Sequence, residues 1–241
     1  MSPTDKRCEE CSLLKRLAVG VGLIWCFYTL FAHFGWLLPG PQSSPQLIME
    51  FLHYNHGPTA VVTFWGVVTT LLFLIFGNTL ISIASPQNCY PVLQRVAQGG
   101  LLSYVVLTLA SQSVMLSITY FFPATYSQVL TVTGYQMAWA IDPSMVIFLT
   151  WATFIGTLSW LTLKTRILPH WLSWSGLIMA ALLFFSTSFI LIGVLSLMIP
   201  VMEALVPLWF AIVVIHLMRE PKLPTPLPET DLEPTVGDPQ T

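Results

Sequence analysis

Apolar residues in this chain come in long unbroken runs, without the strict alternation of a half-buried strand. A helix crossing a hydrocarbon core of about 30 Å needs about 20 such residues. Six runs meet that length: Leu17–Leu38, Ala60–Ala84, Gly99–Phe122, Pro143–Leu163, Trp171–Ile199 and Val201–Met218. Only Pro200 separates the last two, yet Trp171 to Met218 as one helix would extend about 70 Å. A tight reversal between Met198 and Glu203 is therefore predicted. The pattern predicts an all-α, polytopic transmembrane bundle of six spans over 17–218, with a leader over 1–16 and a tail over 219–241. In the first long loop, Pro45–Tyr54 predicts a short interfacial helix lying on the membrane, with Leu47, Ile48, Phe51 and Leu52 towards lipid. The stretch Pro123–Asp142 reads as a loop. The tail carries six prolines and few bulky apolar residues, which predicts disordered, partly extended chain.

The first run follows Lys15 and Arg16, as the apolar core of a signal peptide would. It is too long for a cleavable core, and Pro39-Gly40-Pro41 stands where a small-x-small cleavage site belongs. The run is expected to remain attached as the first span.

Composition agrees with lipid as the solvent. The 241 residues are 55% hydrophobic and 8% charged, against roughly a quarter charged in globular chains, and the mean hydropathy is +0.74. A net charge of −2 points to neither nucleic acid nor an acidic membrane surface. Its distribution is more telling. Lys6, Arg7, Lys15 and Arg16 precede the first span, and Arg95 lies between the second and third. Lys164 and Arg166 lie between the fourth and fifth, and Arg219 and Lys222 follow the sixth, which accounts for all nine basic residues. Basic residues near span ends stay in the cytoplasm, so both termini are predicted inside, in a plasma or inner membrane. Trp36 and Trp139 then mark the outer interface and Trp160, Trp171 and Trp174 the inner one, while Trp25, Trp151 and Trp209 lie deeper as packing residues.

Ionisable residues within a membrane are costly and mark function. The middle of every predicted span lacks Asp, Glu, Lys and Arg, which counts against a proton pump, an ion-coupled transporter or a voltage sensor. Apart from tyrosine, the outer side holds His33, Glu50, His53, His56, Asp142 and Glu203 as its ionisable groups. Carboxylates and imidazoles suit a divalent metal, and Glu50, His53, His56 and Glu203 form the candidate metal set. Glu50 and His53 lie one helical turn apart, whereas His56 abuts Gly57-Pro58, where a helix should stop. Ordinary structural roles compete with this reading. Asp142-Pro143 reads as an N-cap with proline first in the helix, and Glu203 as a first-turn acid favoured by the helix dipole.

Asn78, Ser111 and Gln112 are candidates for a polar pocket, against the alternative of interhelical hydrogen bonding worth about 0.6 kcal/mol each. Small-residue pairs Ala18/Gly22, Gly99/Ser103 and Gly176/Ala180 are spaced for close helix contact, and Pro207 should kink the sixth span. Cys8-Glu-Glu-Cys11 lacks the further ligands that zinc needs. No cysteine falls in an outer loop, so no disulfide is expected.

The entry to the fifth span, Leu168-Pro169-His170-Trp171-Leu172-Ser173-Trp174-Ser175-Gly176, resembles an L-P-x-W-L-x-W-x-G element of uncharacterised six-span bacterial integral membrane proteins. The likeness covers the last third of the chain. It implies the six-span fold and a bacterial origin, and carries no activity or site residues.

No nucleotide motif, nucleophile–base pair or cofactor motif is evident. The function expected is a non-enzymatic accessory, sensory or assembly component whose partners are the lipid bilayer and other membrane proteins, with no nucleic acid. The alternatives are a small-solute or metal-ion transporter using the outer Glu/His residues, and a membrane enzyme acting on a lipid or quinone.

Overall fold

The longest element begins where Ser44 accepts a hydrogen bond from the Leu47 amide at 3.3 Å and Pro45 occupies the first helical position. Both are standard ways to start a helix. From there the chain stays helical for 40 residues, to Ala84, a rod of about 60 Å. The surface helix predicted over Pro45–Tyr54 and the span predicted from Ala60 are thus one element. Proline at 58 removes only the bond to the Tyr54 carbonyl, and Gly57 and Pro58 are exposed, so water or headgroups can serve that carbonyl. Ile48 and Leu52 do not face lipid; both are fully buried, and Phe51 packs against the same cluster.

The computed structural model describes residues 16–31, 39, 43–85, 90–121, 128–141, 145–190 and 198–219. Seven helices lie among them. They are α1 (Arg16–Phe31), α2 (Pro45–Ala84), α3 (Pro91–Phe121), α4 (Gln128–Ile141), α5 (Met145–Thr165), α6 (His170–Ile190) and α7 (Met198–Arg219). Five of them, α2, α3, α5, α6 and α7, are long and apolar enough to cross a membrane; α1 is apolar but shorter. The leader with Cys8 and Cys11, and also His33, Trp36, Cys89, Asp142 and the proline-rich tail, lie outside the described residues.

Two further boundaries differ from the sequence reading. The chain expected to loop over Pro123–Asp142 contains α4, whose buried face Val132, Tyr135 and Ala138 repeats every three residues. Fourteen residues are too few to cross a membrane, so a search for spans passes over it. The reversal expected between Met198 and Glu203 is also misplaced, because α7 is already helical from Met198. Pro200 sits in its first turn, where amide protons have no intrahelical partner to lose.

Two hydrophobic clusters organise the packing. The larger joins α1, the second half of α2, the first half of α3, and α5, α6 and α7. At its centre, aromatic rings interlock. Phe73 lies 4.3 Å from Trp25, 5.1 Å from Trp151 and 5.5 Å from Phe210, centroid to centroid. Trp25, Trp151 and Trp209 are buried as the pattern predicts, while Trp160, Trp171 and Trp174 are exposed. The Lys164 ammonium stands 5.6 Å from the Trp160 ring centre, within cation–π range. The smaller cluster lies beyond it, where Ile48 and Leu52 of α2 meet Met115 and Ile118 of α3 and Val132, Tyr135 and Ala138 of α4.

Glycines set how closely helices approach. A Cβ on Gly22 would overlap Phe76 and Val214, so this residue seats α1 against α2 and α7. The pair expected at Gly99/Ser103 is displaced by one position. Both residues are exposed, and Gly100 instead meets the α5 backbone at Phe154. A Cβ on Gly176 would overlap both Ser159 and Trp209, and Ala180 lies against Gly156, which draws α5 and α6 together. The residues around the α6 entry divide accordingly. Leu168, Leu172, Ser173 and Gly176 face inward, with Ser173 and Thr162 hydroxyls 2.9 Å apart, while Trp171 and Trp174 face out.

Large apolar side chains cover the outside of the bundle, among them Phe27, Phe31, Ile75, Val106, Ile178 and Phe185, each more than half exposed. Such continuous apolar exposure suits a hydrocarbon surrounding.

Candidate functional site

The candidate metal ligands are split between the two parts of the molecule. Glu50, His53 and His56 lie on successive turns near the start of α2, beside the smaller cluster. Glu50 and His53 are exposed, and the His56 ring Nδ1 lies 3.3 Å from the His53 carbonyl. Glu203 lies instead in the second turn of α7, against residues of the larger cluster. Among the described residues, no three His, Cys, Asp or Glu side chains converge as a metal site requires. His56 does not mark a helix end either, since α2 runs through Gly57 and Pro58.

Asn78, Ser111 and Gln112 have three different settings. Asn78 is exposed and its Nδ2 donates to the Leu74 carbonyl of its own helix at 2.9 Å. Gln112 lies over Gly66, where an added Cβ would meet its Nε2 at 2.7 Å, and its Oε1 is 3.4 Å from the Thr70 hydroxyl. Ser111 is buried, and its hydroxyl donates to the Ala138 carbonyl at 2.9 Å. That carbonyl lies in the last described turn of α4. Ser111 therefore ties α4 to α3, a tertiary contact that the polar stripe of the predicted third span does not reveal. Tyr135 completes the anchoring of α4: it is fully buried and its phenol donates to the Pro39 carbonyl at 2.7 Å. Ser111→Ala should cost about 1 kcal/mol, because a buried interhelical hydrogen bond is lost. Proteolysis between α3 and α4 should accelerate in this variant, and an unchanged digestion rate would refute the anchoring role.

Glu203 has the most distinctive surroundings. A partly open cavity of about 70 Å³ lies beside it, lined by Trp25 and Thr29 of α1, Tyr104 of α3, Phe148 and Trp151 of α5, and Pro207 of α7. The helix dipole does not account for this carboxylate, because its influence fades within the first turn and α7 begins five residues earlier. Pro207, four residues on, has no amide proton to give the Glu203 carbonyl. Glu203 and Pro207 both line the cavity. The Thr29 hydroxyl donates to the Trp25 carbonyl at 2.8 Å, which leaves its oxygen able to accept. The Tyr104 and Trp151 rings lie 4.3 Å apart along one wall. Sequence reasoning found Glu203 and Pro207 but not these walls, since four separate helices contribute and no local spacing links them.

No family model matches the chain, and neither the curated proteins nor the solved structures contain a significant match.

Proposed function

We propose that this protein is a six-span integral membrane protein of the plasma or inner membrane that works as an accessory, sensory or assembly component. In this reading α1, the greater part of α2 and α3, and α5, α6 and α7 cross the bilayer. Both termini lie in the cytoplasm with the basic residues, while α4 and the start of α2 stand outside. The observation that carries the proposal is the closed aromatic middle of the bundle. Trp25, Phe73, Tyr104, Trp151, Phe154 and Phe210 fill the level at which a conduit would need a polar path. Many polar side chains around it are spent on their own helices. Thr69, Thr79, Ser113, Ser117 and Thr153, for example, donate to carbonyls one turn back. What remains for recognition is the surface, including an apolar groove lined by Leu23, Ile24, Phe27, Phe31 and Trp65 between α1 and α2.

Three measurements test the proposal. A reporter enzyme that works only outside the cytoplasm, inserted near Gln128, should be active; activity of a cytoplasm-only reporter there would overturn the topology. Mass spectrometry after purification in mild detergent should find a defined membrane partner in stoichiometric amount. Proteoliposomes should show no uptake that depends on Glu50, His53 or Glu203. Uptake abolished by replacing those residues would establish the transporter reading instead, which the cavity at Glu203 favours as the runner-up.

A further inference from the structure

We propose that the outward face of α2 centred on Asn78 is an interface at which two copies of this chain pair, α2 against α2 and parallel. The inference rests on α2 crossing the bilayer, as in the function proposed above, and is independent of the accessory role. Its first support is the spacing of the outward residues. Phe64, Leu71, Ile75, Asn78 and Ser82 are all exposed, and Val68 is half-buried. Together they advance in alternating steps of four and three residues, the repeat of a two-stranded helical seam. The other side of the same helix is spent inside the bundle, where Phe73, Phe76 and Leu80 join the larger cluster.

The residue types along the seam select the occupant. Its two alternating sets are Val61, Val68 and Ile75 in one, and Phe64 and Leu71 in the other. Val or Ile at the first with Leu at the second favours a parallel pair of helices. Two copies inserted in the same direction present α2 to each other in parallel. A two-fold axis along the membrane normal then sets each seam residue against its own counterpart.

Asn78 supplies the reason for pairing. The apolar seam residues would rest equally well on lipid, whereas an amide would not. Among the described residues its side chain makes one hydrogen bond, from Nδ2 to the Leu74 carbonyl of its own helix at 2.9 Å. An amide has two N–H donors and an acceptor oxygen, so one donor and the oxygen remain to be met. Hydrocarbon offers a partner to neither. Asn78 stands six residues before Ala84, where the helix ends, a distance of about 9 Å that its short side chain does not bridge. The partial charges of the amide are complementary to those of a second copy of itself. Each oxygen can accept from the opposite N–H, which gives two bonds across the axis, and a single polar residue in an apolar seam fixes its register. Ser82 does not compete for that side chain, because its hydroxyl donates to the Asn78 backbone carbonyl at 2.9 Å.

The test is energy transfer between full-length chains carrying donor or acceptor fluorescent proteins after Thr241, reconstituted together in phosphatidylcholine vesicles and diluted stepwise with lipid. Transfer should saturate as the protein-to-lipid ratio rises and follow the acceptor fraction as a dimer requires. Asn78→Leu keeps the apolar seam and removes the paired amides, so it should dissociate about tenfold more readily. Ile75→Trp should abolish transfer by overfilling the seam, whereas Ile178→Trp, at an exposed position of α6, should leave it unchanged. All three substituted residues are exposed, and each variant should keep the helical circular dichroism of the parent. The reporter near Gln128 reads orientation without reference to pairing, so a failed topology and a failed dimer are told apart. The proposal is overturned by transfer no greater than random proximity at every dilution, or by Asn78→Leu pairing as tightly as the parent. Loss of transfer in Ile178→Trp but not in Ile75→Trp would also overturn it. So would a different membrane protein that co-purifies in place of the second copy and is lost in Asn78→Leu.

Discussion

The Phe73→Ala protein is expected to unfold about 3 kcal/mol more easily than the parent in a detergent-to-SDS titration, the largest loss from any single truncation in the bundle. Phe73 is fully buried and touches six other rings: Trp25, Phe76, Tyr104, Trp151, Phe154 and Phe210. Those rings come from α1, α2, α3, α5 and α7, so removing it opens a void where five helices meet. In soluble proteins a buried Phe→Ala change costs about 3–5 kcal/mol. Part of that cost is transfer of the ring to water, which a lipid-solvated unfolded state largely avoids. The cavity and the lost dispersion remain, as does the ring-pair geometry worth about 0.5–1.5 kcal/mol per good pair. The expected value therefore falls at the lower end of the range. An unfolding midpoint equal to that of the parent would mean that the aromatic cluster does not hold the helices together.

Gly100→Val is expected to have a comparable effect by the opposite route. A Cβ at this position would lie 2.9 Å from the Phe154 amide nitrogen, 3.2 Å from its Cα and 3.2 Å from the Thr150 carbonyl oxygen. All three are backbone atoms of α5 and cannot rotate aside, so α3 and α5 must separate along their contact. Overpacking ordinarily costs about 1–3 kcal/mol, and a clash with rigid backbone belongs at or above the top of that range. The adjacent glycine is the internal control. Gly99 has open space where its Cβ would be, and alanine is favoured over glycine within a helix by about 1 kcal/mol. Gly99→Ala should leave stability unchanged or raise it slightly. If both glycines tolerate substitution equally, the close approach of α3 to α5 is wrong.

These two glycines show where the sequence was legible and where it was not. A small residue at the start of the predicted third span signalled close helix contact, and the contact exists. Which of the two neighbours makes it depends on how the helix is rotated against α5, and that follows from the whole bundle. The α4 helix was unreadable for a different reason. Its apolar face is short, and it is held to its neighbours through Ser111 and Tyr135, both long-range bonds. Local pattern carries little trace of them. Continuity of α2 through Pro58 belongs to the same class, because the burial of Ile48 and Leu52 against α3 and α4 outweighs a local helix-stopping signal. Glu203 was legible as an acid at an apolar helix, but the cavity beside it was not.

By itself the sequence determined the apolar runs, the helical character of the described residues and the placing of every basic residue between or beyond those runs, because these depend only on what each segment can exchange with its solvent. Tertiary structure decided which breaks are crossed, which short segment becomes a helix, which glycine meets a neighbour, and which walls enclose Glu203. Those outcomes turn on contacts between residues far apart in the chain, where packing and long-range hydrogen bonds outweigh local preference.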